Sequence, residues 1–133
     1  MKRTSTDTTG LGQWAEQRAE QFLVHQGLIF RQRNFNKVCG EIDLIMEEAS
    51  TLVFVEVKLR GHRAWVGALE SIDRRKQRRL IKTANWYLQH LNSRSAPPCR
   101  FDVVAITHNS RENTPLEQKD FTIEWIKYKS RKI

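Results

Sequence analysis

Charged residues are interleaved with apolar ones along Gly40, Glu41, Ile42, Asp43, Leu44, Ile45 and Met46, and again along Leu52, Val53, Phe54, Val55, Glu56, Val57 and Lys58. A period of two marks half-buried strands, and the short polar stretch between them, 47–51, suits a hairpin. Side chains two apart share a face. Glu41, Asp43 and Ile45 therefore line one side of the first strand, and Leu52, Phe54, Glu56 and Lys58 the corresponding side of the second. A two-residue turn centred on Ala49-Ser50 sets Asp43 opposite Glu56 and Glu41 opposite Lys58, at cross-strand Cβ separations of about 4.5–5.5 Å.

Elsewhere the period lengthens. Leu11, Ala15, Ala19, Phe22 and Leu23 fall on one stripe of a predicted helix that Gly27 is placed to end in a left-handed conformation. Leu80, Ala84, Tyr87, Leu88 and Leu91 mark the apolar stripe of a second helix, for which Ser71 is the expected N-cap. Residues 28–35 read as a strand leading into the hairpin, 100–106 as a buried later strand after a linker at 93–98, and 121–126 as a final edge strand. The segment from Arg60 to Gly67 reads as a loop leaving the second hairpin strand, and 108–120 as a polar loop. Strands interleaved with helices predict a single α/β domain over 1–133, with a flexible N-terminus of about ten residues and a basic tail from about 127 to 133. A chain of 133 residues buries roughly two-thirds of its unfolded surface, enough for a core without disulfides or structural metal.

The acids in the hairpin carry the candidate chemistry. Like charges directly opposed across two strands cost stability, so Asp43 beside Glu56 calls for a positive charge between them. Both are hard oxygen donors with no His or Cys nearby, a set that suits Mg²⁺ or Mn²⁺ and argues against zinc. Magnesium binds through one or two carboxylates plus substrate phosphates, so a two-carboxylate site is completed by a phosphodiester. Lys58 shares the face of Glu56 and is the expected catalytic cation, holding or deprotonating the attacking water and offsetting phosphate charge. The competing reading is an ordinary hairpin with a solvated face and a Glu41–Lys58 surface pair worth about 0–1 kcal/mol. Glu16 borders the stripe of the first helix, where it either reaches over the sheet toward Asp43 or is solvated beside Arg18 and Glu20; Gln13 and Glu20 are its alternatives.

The run from Gly40 to Ile45 followed by Val53, Phe54, Val55, Glu56, Val57, Lys58, Leu59 and Arg60 resembles the signature of the YraN-like family of small bacterial proteins. That family in turn resembles the restriction-endonuclease-like superfamily, which includes archaeal Holliday-junction resolvases. The resemblance runs from about Gly12 to Ile106. It implies a restriction-endonuclease-like fold with a mixed central sheet flanked by helices, and a PD-(D/E)xK site with Asp43 and Glu56 as metal ligands and Lys58 as the catalytic lysine. Glu16, Ala19, Phe22, Leu23 and Gly27 match the family's helical pattern, with Ala15 in place of its usual glycine, and this implies that Glu16 is a third catalytic and metal-binding carboxylate. In the same pattern a lysine or glutamine of the second helix faces the site, a role open to Lys76 or Gln77.

Charge points the same way. There are 23 Lys and Arg against 15 Asp and Glu, a formal net charge of +8. Arg74, Arg75, Lys76, Arg78 and Arg79 cluster at the start of the second helix, where cations oppose the macrodipole and an external anion would relieve them. With Arg60 and Arg63 they form the expected nucleic-acid contacts. His62 and Trp65 in the same loop are a conceivable proton carrier and a stacking or packing residue. Asp102 is expected to pair with Arg100 or a nearby lysine as a structural acid. Two cysteines, Cys39 and Cys99, make no disulfide framework and suit a reducing cytoplasm. The first residues lack the apolar core of a signal peptide, and no run reaches membrane-spanning length. The expected function is a Mg²⁺- or Mn²⁺-dependent nuclease acting on DNA, including branched or repair intermediates, with a homodimer as the easiest way to cut two strands symmetrically. The rival readings are a nucleic-acid-binding module that hydrolyses nothing and an interaction protein whose basic face meets an acidic partner.

Overall fold

The computed structural model describes residues 10–61, 73–91, 97–108, 114–115 and 120–130. Helix α1 spans Gly10–His25, followed by strands β1 (Ile29–Lys37), β2 (Gly40–Glu48) and β3 (Thr51–Gly61), helix α2 (Arg74–Gln89), and strands β4 (Cys99–His108) and β5 (Phe121–Ser130). The strands form one five-stranded sheet in the order β1-β2-β3-β4-β5. It is mixed, because β3 and β4 run parallel while the other three pairs are antiparallel.

Each helix covers one face. Trp14, Ala15, Ala19 and Leu23 of α1 pack with Leu44, Met46, Val53, Val55, Val57, Val104 and Ile106. On the other side Leu80 and Ala84 of α2 pack with Ile45, Leu52, Phe54, Val103 and Ala105. These two sets are the alternate residues of β2, β3 and β4, so the period-two pattern is what gives the sheet two buried faces.

The ends of the helices are built locally. Gly27 has φ of 102°, a left-handed conformation open to glycine, and lets its own N–H reach the Val24 carbonyl while Leu28 N–H reaches Leu23 at 3.0 Å. Leu23 and Leu28 are both buried in the α1-side core, which completes this helix stop. Helix α2 begins later than the sequence suggests. Its N-cap is Asp73, whose Oδ1 accepts from Lys76 N–H at 2.8 Å, and Ser71, the expected cap, lies outside the described residues.

Two further boundaries differ from expectation. Strand β3 continues through Arg60 and Gly61, where a loop was expected, because its parallel pairing with β4 extends to Thr107 and His108. Strand β5 runs on to Ser130, so Lys127 is part of a paired strand and not of a tail; the last three residues lie outside the described residues. The extra length comes from pairing with distant strands, which local patterning does not record.

Candidate metal centre

The hairpin that carries the acids turns on Ala49 and Ser50, with φ of 49° and 73°. Two consecutive positive φ values make the tight turn whose twist suits a hairpin. The resulting register pairs Glu48 with Thr51, Glu47 with Leu52, Met46 with Val53, Ile45 with Phe54 and Leu44 with Val55, as the two-residue turn predicts.

Pairing stops there. Beyond Leu44 the strands part, and the carboxylate Oδ2 of Asp43 accepts the Val57 backbone N–H at 2.8 Å in place of a ladder bond. The alternation of β2 breaks at the same place, for Ile42 packs on the α2 side with Ile45 whereas Leu44 and Met46 pack on the α1 side. Asp43 is thereby brought into reach of both helices.

Toward α1, the carboxylates of Glu16, Glu41 and Asp43 each offer an oxygen such that all three lie within 4.8 Å of one another. Glu16 is wholly buried and Asp43 is 3% exposed. The alternatives to Glu16 are elsewhere: Gln13 is exposed and Glu20 is ion-paired with Arg33. Burial, followed by the neighbouring Glu56, holds the Asp43 carboxyl well above the usual carboxylate range; Glu16 and Glu41 push the same way against the Val57 hydrogen bond.

Toward α2, Glu56 is held by two lysines. Its Oε2 lies 2.6 Å from Lys76 Nζ and 3.5 Å from Lys58 Nζ. Lys76 stands in the first turn of α2, the turn capped by Asp73, so the helix N-terminus delivers this amine to the sheet. Burial pulls the Lys58 amine below its ordinary range, with Lys76 adding to the effect and Glu56 opposing it. For Lys76 burial acts in the same sense but is outweighed by Glu56, and the amine is raised.

The expected residues thus sort into two adjoining groups. Glu16 and Asp43 come together with Glu41, whereas Glu56 and Lys58 come together with Lys76. The expected Glu41–Lys58 pair is not what the structure places: Lys58 pairs with Glu56, and Glu41 joins the acids. Glu41 was readable as sharing a face with Asp43, but the assumption of an unbroken ladder assigned it to the lysine. Between Lys76 and Gln77, it is Lys76 whose side chain reaches the Glu56 carboxylate. Arg60, the last residue but one of β3, has its guanidinium on the Leu59 carbonyl at 3.2 Å. Arg74, Arg75, Arg78 and Arg79 are exposed on α2. His62, Arg63 and Trp65 lie outside the described residues.

Three carboxylates without imidazole or thiolate suit a hard, oxygen-seeking divalent cation, and two of them, Glu16 and Asp43, are buried where such a cation would stabilise their charge. Among the described residues no helix is long and apolar enough to cross a membrane.

The fold and the site define an α/β protein with a mixed five-stranded sheet between two helices and a buried group of acids where its central hairpin opens. The chain belongs to the uncharacterised protein family UPF0102, whose family model matches residues 15–106. It is 45% identical over 122 residues to a UPF0102 protein of Stutzerimonas stutzeri (strain A1501), covering 92% of this chain and 95% of the relative. It is also 44% identical over 116 residues to one of Pseudomonas syringae pv. syringae (strain B728a), covering 87% and 89%. A third, from Pseudomonas putida (strain GB-1), is 46% identical over 109 residues, covering 82% and 89%. The matched span includes Glu16, Glu41, Asp43, Glu56, Lys58 and Lys76.

Proposed function

We propose that this protein is a metal-dependent nuclease of restriction-endonuclease-like fold, related to the YraN-like proteins and similar to archaeal Holliday-junction resolvases, that hydrolyses phosphodiester bonds in DNA. One observation carries this reading: Glu16, Glu41 and Asp43 converge from a helix and a strand within 4.8 Å, directly beside a carboxylate held by two lysines. A surface hairpin with incidental charges would leave these groups in water, yet Glu16, Asp43 and Glu56 are all buried.

Glu16, Glu41 and Asp43 would hold Mg²⁺ or Mn²⁺, with Glu56 as the adjoining carboxylate. Such a cation supplies Lewis acidity, lowering the pKa of water and neutralising phosphate charge. The chain's own residues do the rest. Asp43 is fixed by the Val57 N–H, so its orientation is set before any ligand arrives. Glu56 holds Lys58 and Lys76 side by side, which keeps two cations where charge grows on phosphorus-bound oxygen as water adds and the leaving alcohol departs. The lowered amine of Lys58 gives up a proton more readily than an exposed lysine, which suits it to orient water and exchange a proton with it. The arginines on α2 hold the nucleic-acid backbone.

The test is incubation of the purified protein with labelled duplex, single-stranded, flap and four-way-junction DNA in Mg²⁺, Mn²⁺ or chelator. The expected result is metal-dependent cleavage that disappears in Asp43→Asn and Lys58→Ala while DNA binding persists. Binding without cleavage in either metal would contradict the hydrolytic reading and leave a non-catalytic nucleic-acid-binding module.

A further inference from the structure

The outer face of α2 carries a pattern that the metal centre does not use. Arg75, Arg79, Lys82, Trp86 and His90 follow one another at spacings of four, three, four and four residues, which puts them on a single stripe opposite the buried Leu80 and Ala84. All five are exposed, and Trp86 retains 46% of its surface. Among the described residues, Arg75, Arg79 and Lys82 make no ion pair with a carboxylate, unlike Arg31, Arg33, Lys58, Lys76, Arg100 and Lys127.

The indole is held in place but not covered. His90 lies nearly parallel to it, planes 9° apart, with ring centroids separated by 5.6 Å, a distance at which the rings overlap only at their margins. His90 Nδ1–H donates to the Trp86 carbonyl at 2.7 Å and so fixes the imidazole. Lys37, from β1, places its amine 5.5 Å from the indole centroid. A flat aromatic surface with a lysine amine beside it, at the end of a basic stripe, has the composition of a platform for an unpaired base joined to a phosphate chain.

We infer that the exposed face of α2 is a track for single-stranded nucleic acid, with Arg75, Arg79 and Lys82 on phosphates and Trp86 stacking on an unpaired base. Resting on the proposed nuclease activity, this names the substrate class as DNA with a single-stranded segment. The stripe begins beside Lys76, which touches Glu56, and reaches Trp86 about 16 Å further along the helix at ~1.5 Å per residue. A strand lying on it has one end beside the Lys76–Glu56 pair. An acidic protein surface would match the cations but does not call for an exposed indole at the end of the stripe.

Fluorescence anisotropy in chelator, with labelled oligodeoxythymidylate and a blunt duplex, separates binding from cutting. Trp86→Ala should weaken binding of the single strand roughly five- to 150-fold, the value of one stacked base at ~1–3 kcal/mol, and by at least about fivefold more than it weakens binding of the duplex. Trp86→Phe should recover most of the loss, and thermal melts of both variants establish that they fold. Arg79→Gln with Lys82→Gln should flatten the dependence of log affinity on log salt by about 1.4 on the single strand. Unchanged affinity in Trp86→Ala, equal losses on both DNAs, or binding of polyglutamate in place of DNA would overturn the track. Trp86-dependent binding of the single strand with no cleavage in Mg²⁺ or Mn²⁺ would support the track while refuting the nuclease.

Discussion

The two ends of the β2–β3 hairpin use acids in opposite ways. At the turn end every acid meets an arginine: Glu47 is 2.8 Å from Arg31, and Glu48 is 2.6 Å from Arg100, which also binds the buried Asp102 at 3.0 Å. At the open end three acids face one another, and the two lysines nearby are engaged by a fourth, Glu56. The first arrangement is self-contained, since each negative charge has its counter-charge within the fold. The second gathers carboxylates on one another. Buried carboxylates that repel one another destabilise the chain that carries them, and such an arrangement suits a place where something positive binds.

This contrast is open to direct attack. The largest effect is expected from Asp43→Asn, which keeps the shape of the side chain and removes its charge; cleavage should fall by about 10³-fold or more in a single-turnover assay, a loss on the scale of removing a main transition-state stabiliser. Lys58→Ala should lower the same rate by about 10²–10⁴-fold, with Asp43 and its neighbours left in place. At the turn end the loss should appear in stability and not in rate. Arg100→Ala leaves the buried Asp102, among the described residues, with the Trp125 indole N–H at 2.9 Å, and chemical denaturation should report a loss of about 3 kcal/mol.

Smaller but sharper is the dependence on pH and metal. The Asp43 carboxyl is raised in the folded chain, so the native state holds its proton more tightly than the unfolded one. The metal-free protein should therefore lose stability as pH rises from acid through the raised folded value, and at neutral pH Asp43→Asn should melt higher than the parent protein. The difference should vanish on acidification, when Asp43 is protonated in both states. Mg²⁺ at about 100 times its dissociation constant should stabilise the parent protein by roughly 2.7 kcal/mol and leave Asp43→Asn unmoved. Smallest of all, Arg31→Ala removes an exposed pair and should change denaturation by no more than about 1 kcal/mol.

Much of this organisation was legible because it is local. The apolar runs around residues 44–46 and 52–57 marked β2 and β3 as strands, and a two-residue turn at Ala49-Ser50 set their register as far as Leu44 and Val55. Gly27 stops α1 as its position suggests, and Asp102 pairs with Arg100 two residues away. What escaped depends on contacts distant in sequence. The parting of β2 and β3 at Asp43, which frees Glu41 from Lys58 and sends it to Glu16, follows from how the hairpin end fits between the two helices. Gly40 shows the tightness of that fit: a Cβ there would lie 3.0 Å from the Thr83 hydroxyl on α2. Similarly, no periodicity told Lys76 from Gln77; the choice depends on the angle at which α2 crosses the sheet.

The central claim is that the open end of the hairpin binds a divalent cation through its buried acids, and a Mn²⁺ titration followed by electron paramagnetic resonance tests it without any substrate. One Mn²⁺ per chain should bind to the parent protein and to Glu47→Gln, whose acid belongs to the turn end, and binding should be lost in Asp43→Asn. Equal Mn²⁺ binding by Asp43→Asn and the parent protein, or none by either, would contradict the account.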